Sequence, residues 1–137
     1  MKIRGANGEK PLIHITGPDQ FAIDIVGESH YAQTLEQLAK GMKEVRFINA
    51  VIVPETDNPY GADAVRIDID GKTVGHLSKD LAPIYRQRLE SAGQVGVVAW
   101  TRAILRGRPR GEEEEGHGIG VWLDLPYTIG DLTFIKC

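Results

Sequence analysis

The stretch Asp63–Ser78, DAVRIDIDGKTVGHLS, constrains the fold more than any other part of the sequence. Val65, Ile67 and Ile69 alternate with Arg66, Asp68 and Asp70, the period of a strand with one apolar face. Asp70-Gly71 follows at once, a dipeptide suited to the positive φ angles of a tight two-residue hairpin turn. Val74 and Leu77 then fall in a return strand. A hairpin near the middle of the chain calls for an antiparallel β framework, and the remaining segments are read around it.

Leu12–Thr16 (LIHIT) is short and β-branched, and Gly17-Pro18-Asp19 turns the chain after it. Phe21–Ser29 has Phe21, Ile23 and Ile25 on one face and Asp24 on the other. The period then changes. Tyr31, Leu35, Leu38 and Met42 recur at helical spacing, with Ser29 as expected N-cap and Gly41 as terminator. Glu44–Glu55 reads as a strand with Val45, Phe47, Asn49, Val51 and Val53 on one face, ended by Pro54. A second helix has Leu81, Ile84 or Tyr85, and Leu89 on its inner face. Its cap is Ser78 or Asp80, and Pro83, tolerable only in a first turn, favours Asp80. Gln94–Gly107 and Gly118–Pro126 are strands flanking the charged loop RPRGEEEEGH, and the tail has room for one more. Six or seven mostly antiparallel strands with two short helices, and no βαβ rhythm, give a mainly β fold. The expected form is a small curled sheet or partly open barrel with helices over its ends.

At 137 residues the chain reads as one domain with room for a core that needs no staples. Residues 1–11 are polar and rich in glycine and lysine, and read as a loose arm. The net charge of −3 provides no overall field for nucleic acid or an anionic membrane, so any such binding falls to a local patch. The single cysteine, Cys137, excludes an internal disulfide and a thiolate metal site. The first residues lack the apolar core of a signal peptide, and no stretch approaches a membrane span. A reducing cytoplasmic setting, with no membrane partner, is the expectation.

The residues of catalysis do not assemble. His14, His30, His76 and His117 show no HxxxH or HxH spacing, and His117 beside Glu112–Glu115 reads as part of a solvated acidic loop rather than a metal site. Gly27-Glu28-Ser29-His30 places a serine after a glycine but lacks the second glycine of a nucleophile elbow. No glycine pattern has the lysine and strand–turn–helix setting of a phosphate loop. The reading is a protein that is not an enzyme and carries no cofactor or metal.

Binding chemistry is better represented. In Glu55–Ile67, Asn58-Pro59 already supplies a turn, so Tyr60 at its tip requires either a core pocket or a ligand. Two junctions, VGESHYAQ and VGHLSKDLA, each follow Val-Gly with polar and aromatic residues where a strand becomes a helix. Such places expose N–H groups suited to phosphate oxygens, and ring faces beside them suit unpaired bases.

VGESHYAQ, PETDNPYGADAVRI, IDGKTVGHLSKDLAPIY and GVWLDLP, taken in order and spacing, resemble the HIRAN domain family over Phe21–Pro126. The chain is similar to the small stand-alone members of bacteria and phages, in a family also fused to helicase-like ATPases. The resemblance implies an OB-like curled antiparallel β-barrel with two short α-helices that binds single-stranded DNA, in characterised relatives at a free 3′ end. It divides the chain into an arm and short strand at 1–20, the HIRAN-like domain at 21–126 and a tail at 127–137. It implies that Tyr60 holds a terminal base beside Asn58, that His76 and Lys79 meet a phosphate, and that Ser29, His30 and Tyr31 form the other side. The chain departs from the pattern at two places. Ser29 and His30 stand where an arginine and an aromatic are usual, and Gly61 stands where an acid able to accept a 3′ hydroxyl is usual, with Asp57 or Asp63 as nearby substitutes. One stacking platform fewer corresponds to about 1–3 kcal/mol of binding.

Two further readings complete the picture. Arg102, Arg106, Arg108 and Arg110 share parity, so an extended strand aims them to one face, either as a basic patch or as partners of Glu112–Glu115. With no ATPase of its own, the module would capture DNA for a helicase or nuclease partner. The competing reading is a protein-interaction adaptor using the same groove or the exposed strand edges.

Overall fold

The computed structural model describes residues 3–55, 63–107 and 118–126, and the backbone of Ser29 and of Thr133–Lys136. Eight strands and two helices occur among them: β1 (Ile13–Thr16), β2 (Ile23–Asp24), α1 (Ala32–Leu38), β3 (Val45–Pro54), β4 (Val65–Ile69), β5 (Lys72–His76), α2 (Leu81–Ser91), β6 (Ala99–Gly107), β7 (Ile119–Leu123) and β8 (Thr133–Lys136). A 3-10 turn, Glu28–Tyr31, leads into α1.

The strands form one curled sheet in the order β2-β7-β6-β3-β4-β5, antiparallel along that path. This is a mainly β, OB-like half-barrel with two short helices. Its two outer strands meet. Val26, just past β2, bridges His76 at the end of β5 through hydrogen bonds of 2.8 and 2.9 Å in opposite directions. The curl therefore closes on itself at this point.

β1 pairs in parallel with the start of β6, at Ile13↔Ala99 and His14↔Trp100, while β7 pairs with its later residues. β8 adds antiparallel to β1, so residues assigned to the arm and tail on sequence extend the same sheet. Thr101 is fully buried, and its hydroxyl lies 2.9 Å from the Ile15 carbonyl and 3.1 Å from that of Asp124, tying the ends of β1 and β7 to β6. Outside this seam the rings of His14 and Trp100 stack with centroids 3.8 Å apart and their planes nearly parallel.

The core gathers Ile13 and Ile15, Ile23 and Ile25, Ala50 and Ile52, Val65, Ile67 and Ile69, Ala103 and Leu105, and Val121 and Leu123, closed by Leu35 of α1 and by Ala82, Tyr85 and Leu89 of α2. Burial of this apolar area is the main favourable term, about 1.5–3 kcal/mol for each large side chain. On β3 the core takes Ile48, Ala50 and Ile52, the opposite set to the one favoured by sequence. Val45 and Phe47 are exposed, whereas Val51 and Val53 are buried on the outer side.

That outer burial is explained in part by the N-terminal segment, which is docked rather than loose. The Ala6 N–H donates to Asp68 Oδ2 at 2.7 Å, and Arg66 Nη2 donates to Glu9 Oε2 at 2.6 Å. The Leu12 N–H donates to the Val98 carbonyl at 2.9 Å. Arg66 and Asp68 sit on the outer face of β4, as alternation requires, yet are almost completely covered. Burial of such charges is tolerated because they are paired: Arg66 Nε and Nη2 reach Asp68 at 2.8–3.0 Å, and Thr73 Oγ1 donates to Asp68 at 2.8 Å.

Candidate functional site

The Val26–His76 bridge brings the two Val-Gly junctions together although they are far apart in sequence. Gly75 permits this approach, since a Cβ there would stand 2.6 Å from the Val26 carbonyl oxygen and 2.8 Å from Ile25 Cδ1. Gly27, with φ 80°, then turns the chain into the 3-10 turn, which packs against β5. The turn is fixed from beneath by Glu28, fully buried, whose Oε2 accepts the Val121 N–H at 2.6 Å.

The expected site residues fall as follows. His30 is exposed and Tyr31 half-buried on the turn, beside β5. Ser29 lies in the same turn by its backbone, and it is not the N-cap of α1, since Gly27 opens the 3-10 turn and Tyr31 precedes α1. His76 is half-buried at the end of β5, and its Nε2 lies 3.1 Å from Glu55 Oε1. Lys79 is exposed, with no ion pair among the described residues. Asn58 and Tyr60, with Asp57 and Gly61, lie outside the described residues.

The residues flanking that segment, Glu55 and Ala64, are held together as a stem. The Glu55 N–H donates to the Ala64 carbonyl at 2.9 Å. Arg86 of α2 places Nη1 3.1 Å from the Glu55 carbonyl and 3.2 Å from that of Ala64, clamping both sides of the stem. Glu55 faces His76 with one carboxylate oxygen and stands 3.6 Å from Arg66 Nη1 with the other. A polar chain thus runs from the docked N-terminal segment through Glu9, Arg66 and Glu55 to His76.

The start of α2 offers less to a phosphate than sequence suggests. Ser78, not Asp80, supplies the capping side chain: its Oγ accepts the Leu81 N–H at 3.2 Å, while Asp80 at the N-cap position makes no side-chain bond. The Leu81 and Ala82 amides also reach the Ser78 carbonyl, and Pro83 has no N–H. Side-chain donors near this point include Lys79, His76 and His30.

Sequence reading missed Glu28, Glu55, Arg66 and Arg86, all of which position this region. Each is a charged residue in a polar stretch, and only the register of distant strands shows what it meets. Arg102 and Arg106, by contrast, do share the outer face of β6. Arg102 pairs with Asp19 at 2.6 Å and lies 5.4 Å from the Phe21 ring and 5.9 Å from that of Phe47, while Arg106 lies 4.2 Å from the Trp122 ring. Arg108, Arg110, Glu112–Glu115 and His117 lie outside the described residues.

No group of three or more His, Cys, Asp or Glu able to hold a metal ion occurs among the described residues. Among the described residues no helix is long and apolar enough to cross a membrane. The chain matches no family model, no curated protein and no solved structure.

Proposed function

We propose that this protein is a non-enzymatic module that captures single-stranded DNA in the groove where the two Val-Gly junctions meet, with a free 3′ end as its preferred target. The observation that carries the reading is the Val26–His76 bridge, which joins the His30–Tyr31 turn to His76 and Lys79. A ring at Tyr31 and cationic or hydrogen-bonding groups at His30, His76 and Lys79 are the chemistry of base stacking beside phosphate contact. Glu55, the last described residue before the segment of Asn58 and Tyr60, stands beside His76. The HIRAN resemblance of the same stretches adds support and supplies the 3′-end preference. Lacking an ATPase motif, the module acts by delivering an end to a helicase or nuclease partner.

Anisotropy of a labelled single-stranded oligonucleotide, with free and blocked 3′ ends at two salt concentrations, tests this. Binding should fall steeply with salt as phosphate contacts release counterions. Tyr60→Ala and Lys79→Ala should each weaken it while the domain remains folded. Absence of binding at low salt would falsify the DNA reading. Equal binding to both ends would remove the end preference alone. Salt-insensitive capture of a peptide instead would favour the adaptor reading.

A further inference from the structure

The outer face of β6 carries Trp100, Arg102, Ile104 and Arg106 in alternation, about 6.5–7 Å apart along the strand. Neighbouring strands add rings to it. Phe47 lies opposite Ile104 on β3, and Trp122 lies opposite Ile104 on β7. Phe21 meets Phe47 edge-on, with ring centres 5.7 Å apart. The two arginines lie over these rings, Arg102 over Phe21 and Phe47 and Arg106 over Trp122. Phe47 is 62% exposed, too much for a residue whose purpose is the core. Both tryptophans of the chain belong to this face.

From this arrangement we infer that the outer face of β6 is a second contact surface for single-stranded nucleic acid, on the wall of the barrel opposite the groove. The strand order supports the separation, because β6 and β3 are the middle pair of the path whose ends close at Val26 and His76. Charge complementarity selects the occupant. Guanidinium groups lying over rings turn their N–H edges outward, where phosphates bind, and ring faces between them accept bases. Arg106 has no carboxylate partner among the described residues. Arg102 has one, Asp19, but both are well exposed, and a phosphate can exchange with such a pair at little cost. Ile104, the aliphatic residue between the arginines, is covered, and beside the exposed Val45 opposite Arg106 the face presents mainly rings and cations rather than a broad aliphatic surface of a protein contact. The inference shares its ligand class with the proposed function and uses a different surface.

Tryptophan fluorescence of the full chain tests it, because both reporters lie on this face. An unlabelled deoxythymidine oligonucleotide of about 16 nucleotides, the upper site size of an OB fold, is titrated alongside anisotropy of a labelled copy. Saturable quenching that weakens with salt is expected. Phe47→Ala should weaken that quenching phase between about fivefold and about 150-fold, the worth of one base–ring stack. Arg106→Glu should weaken it too, and provides the reading should Phe47→Ala fail to fold. Lys79→Ala should spare it. Anisotropy showing binding without quenching would overturn the inference and leave the groove proposal standing. Quenching of undiminished strength in both variants would overturn it as well. No binding by either signal would sink both proposals. Self-association by sedimentation, abolished by Phe47→Ala and without DNA quenching, would reassign the face to contacts between copies.

Discussion

Gly75 passes so close to Val26 that a side chain on it would strike the Val26 carbonyl oxygen, 2.6 Å from where its Cβ would be. The closure of the barrel and the meeting of the two junctions therefore depend on one missing methyl group. Gly75→Ala forces the bridge apart or the backbone to shift, at a cost of about 1–3 kcal/mol typical of overpacking. Urea unfolding should show a lower midpoint with an unchanged slope. The proposed DNA affinity should fall with it, because His76 and the His30 turn lose their common frame. A variant as stable as the parent would mean that the bridge contributes little to the closure.

Arg66 anchors the N-terminal segment to the sheet. Asp68→Ala removes its principal counter-charge in a covered position and should cost about 3 kcal/mol, since a buried charge that loses its partner is expensive. Glu9→Gln is milder and has a pH signature. Burial alone would raise the Glu9 carboxyl, but hydrogen bonds from Arg66 and the nearby amides, with the Arg66 charge, hold it below its ordinary 4.5. The unfolded chain thus binds the proton first as acid is added. The stabilisation is complete above about pH 4.5 and is lost as pH falls through the folded value. The difference between parent and Glu9→Gln should be present at neutral pH and vanish in acid, as read by urea unfolding across that range.

The hairpin around Asp70-Gly71, the strand–helix junctions and α2 were legible because their signals are local. The alternation of Val65, Ile67 and Ile69, a turn dipeptide and a helical period each depend on residues a few places apart. The inward face of β3 was not legible, because Ile48, Ala50 and Ile52 are as apolar as Val51 and Val53, and periodicity cannot choose between two apolar faces. Nor was the docking of residues 3–10, whose glycines and charges match those of a loose arm until Arg66 and Asp68 are set opposite them. At the candidate site, the placement of His30 and His76 at the two strand–helix junctions was readable. Glu28, Glu55 and Arg86 were not, since their partners lie on other strands or at the far end of a loop.

Tyr85 makes an opposite kind of prediction. It is fully buried on α2, and its hydroxyl has no hydrogen-bond partner among the described residues. Burial drives its phenol far above the ordinary value, so the hydroxyl stays neutral and its cost is desolvation alone. Tyr85→Phe removes that cost while retaining the ring, and should stabilise the protein by about 1 kcal/mol. Thermal and urea unfolding measure this directly. A loss of stability would reveal a partner for the hydroxyl.

Arg86 separates the anchoring of the Glu55 and Ala64 stem from the stability of the barrel. Its Nη1 lies within 3.2 Å of both the Glu55 and Ala64 carbonyls, while the Glu55 N–H closes the stem. Arg86→Ala leaves both carbonyls to water, which can reach the half-buried guanidinium site, so global stability should fall by only about 1 kcal/mol. The local effect should be larger. Hydrogen exchange at the Glu55 amide should quicken well beyond the change set by global unfolding, since opening of the stem becomes its own event. If Tyr60 contributes to DNA capture, the same variant should weaken binding by loosening the Glu55 and Ala64 stem that flanks it, with less effect than Tyr60→Ala. Exchange at Glu55 that merely tracks global stability would show the clamp to be a packing contact and not a separate latch on the stem.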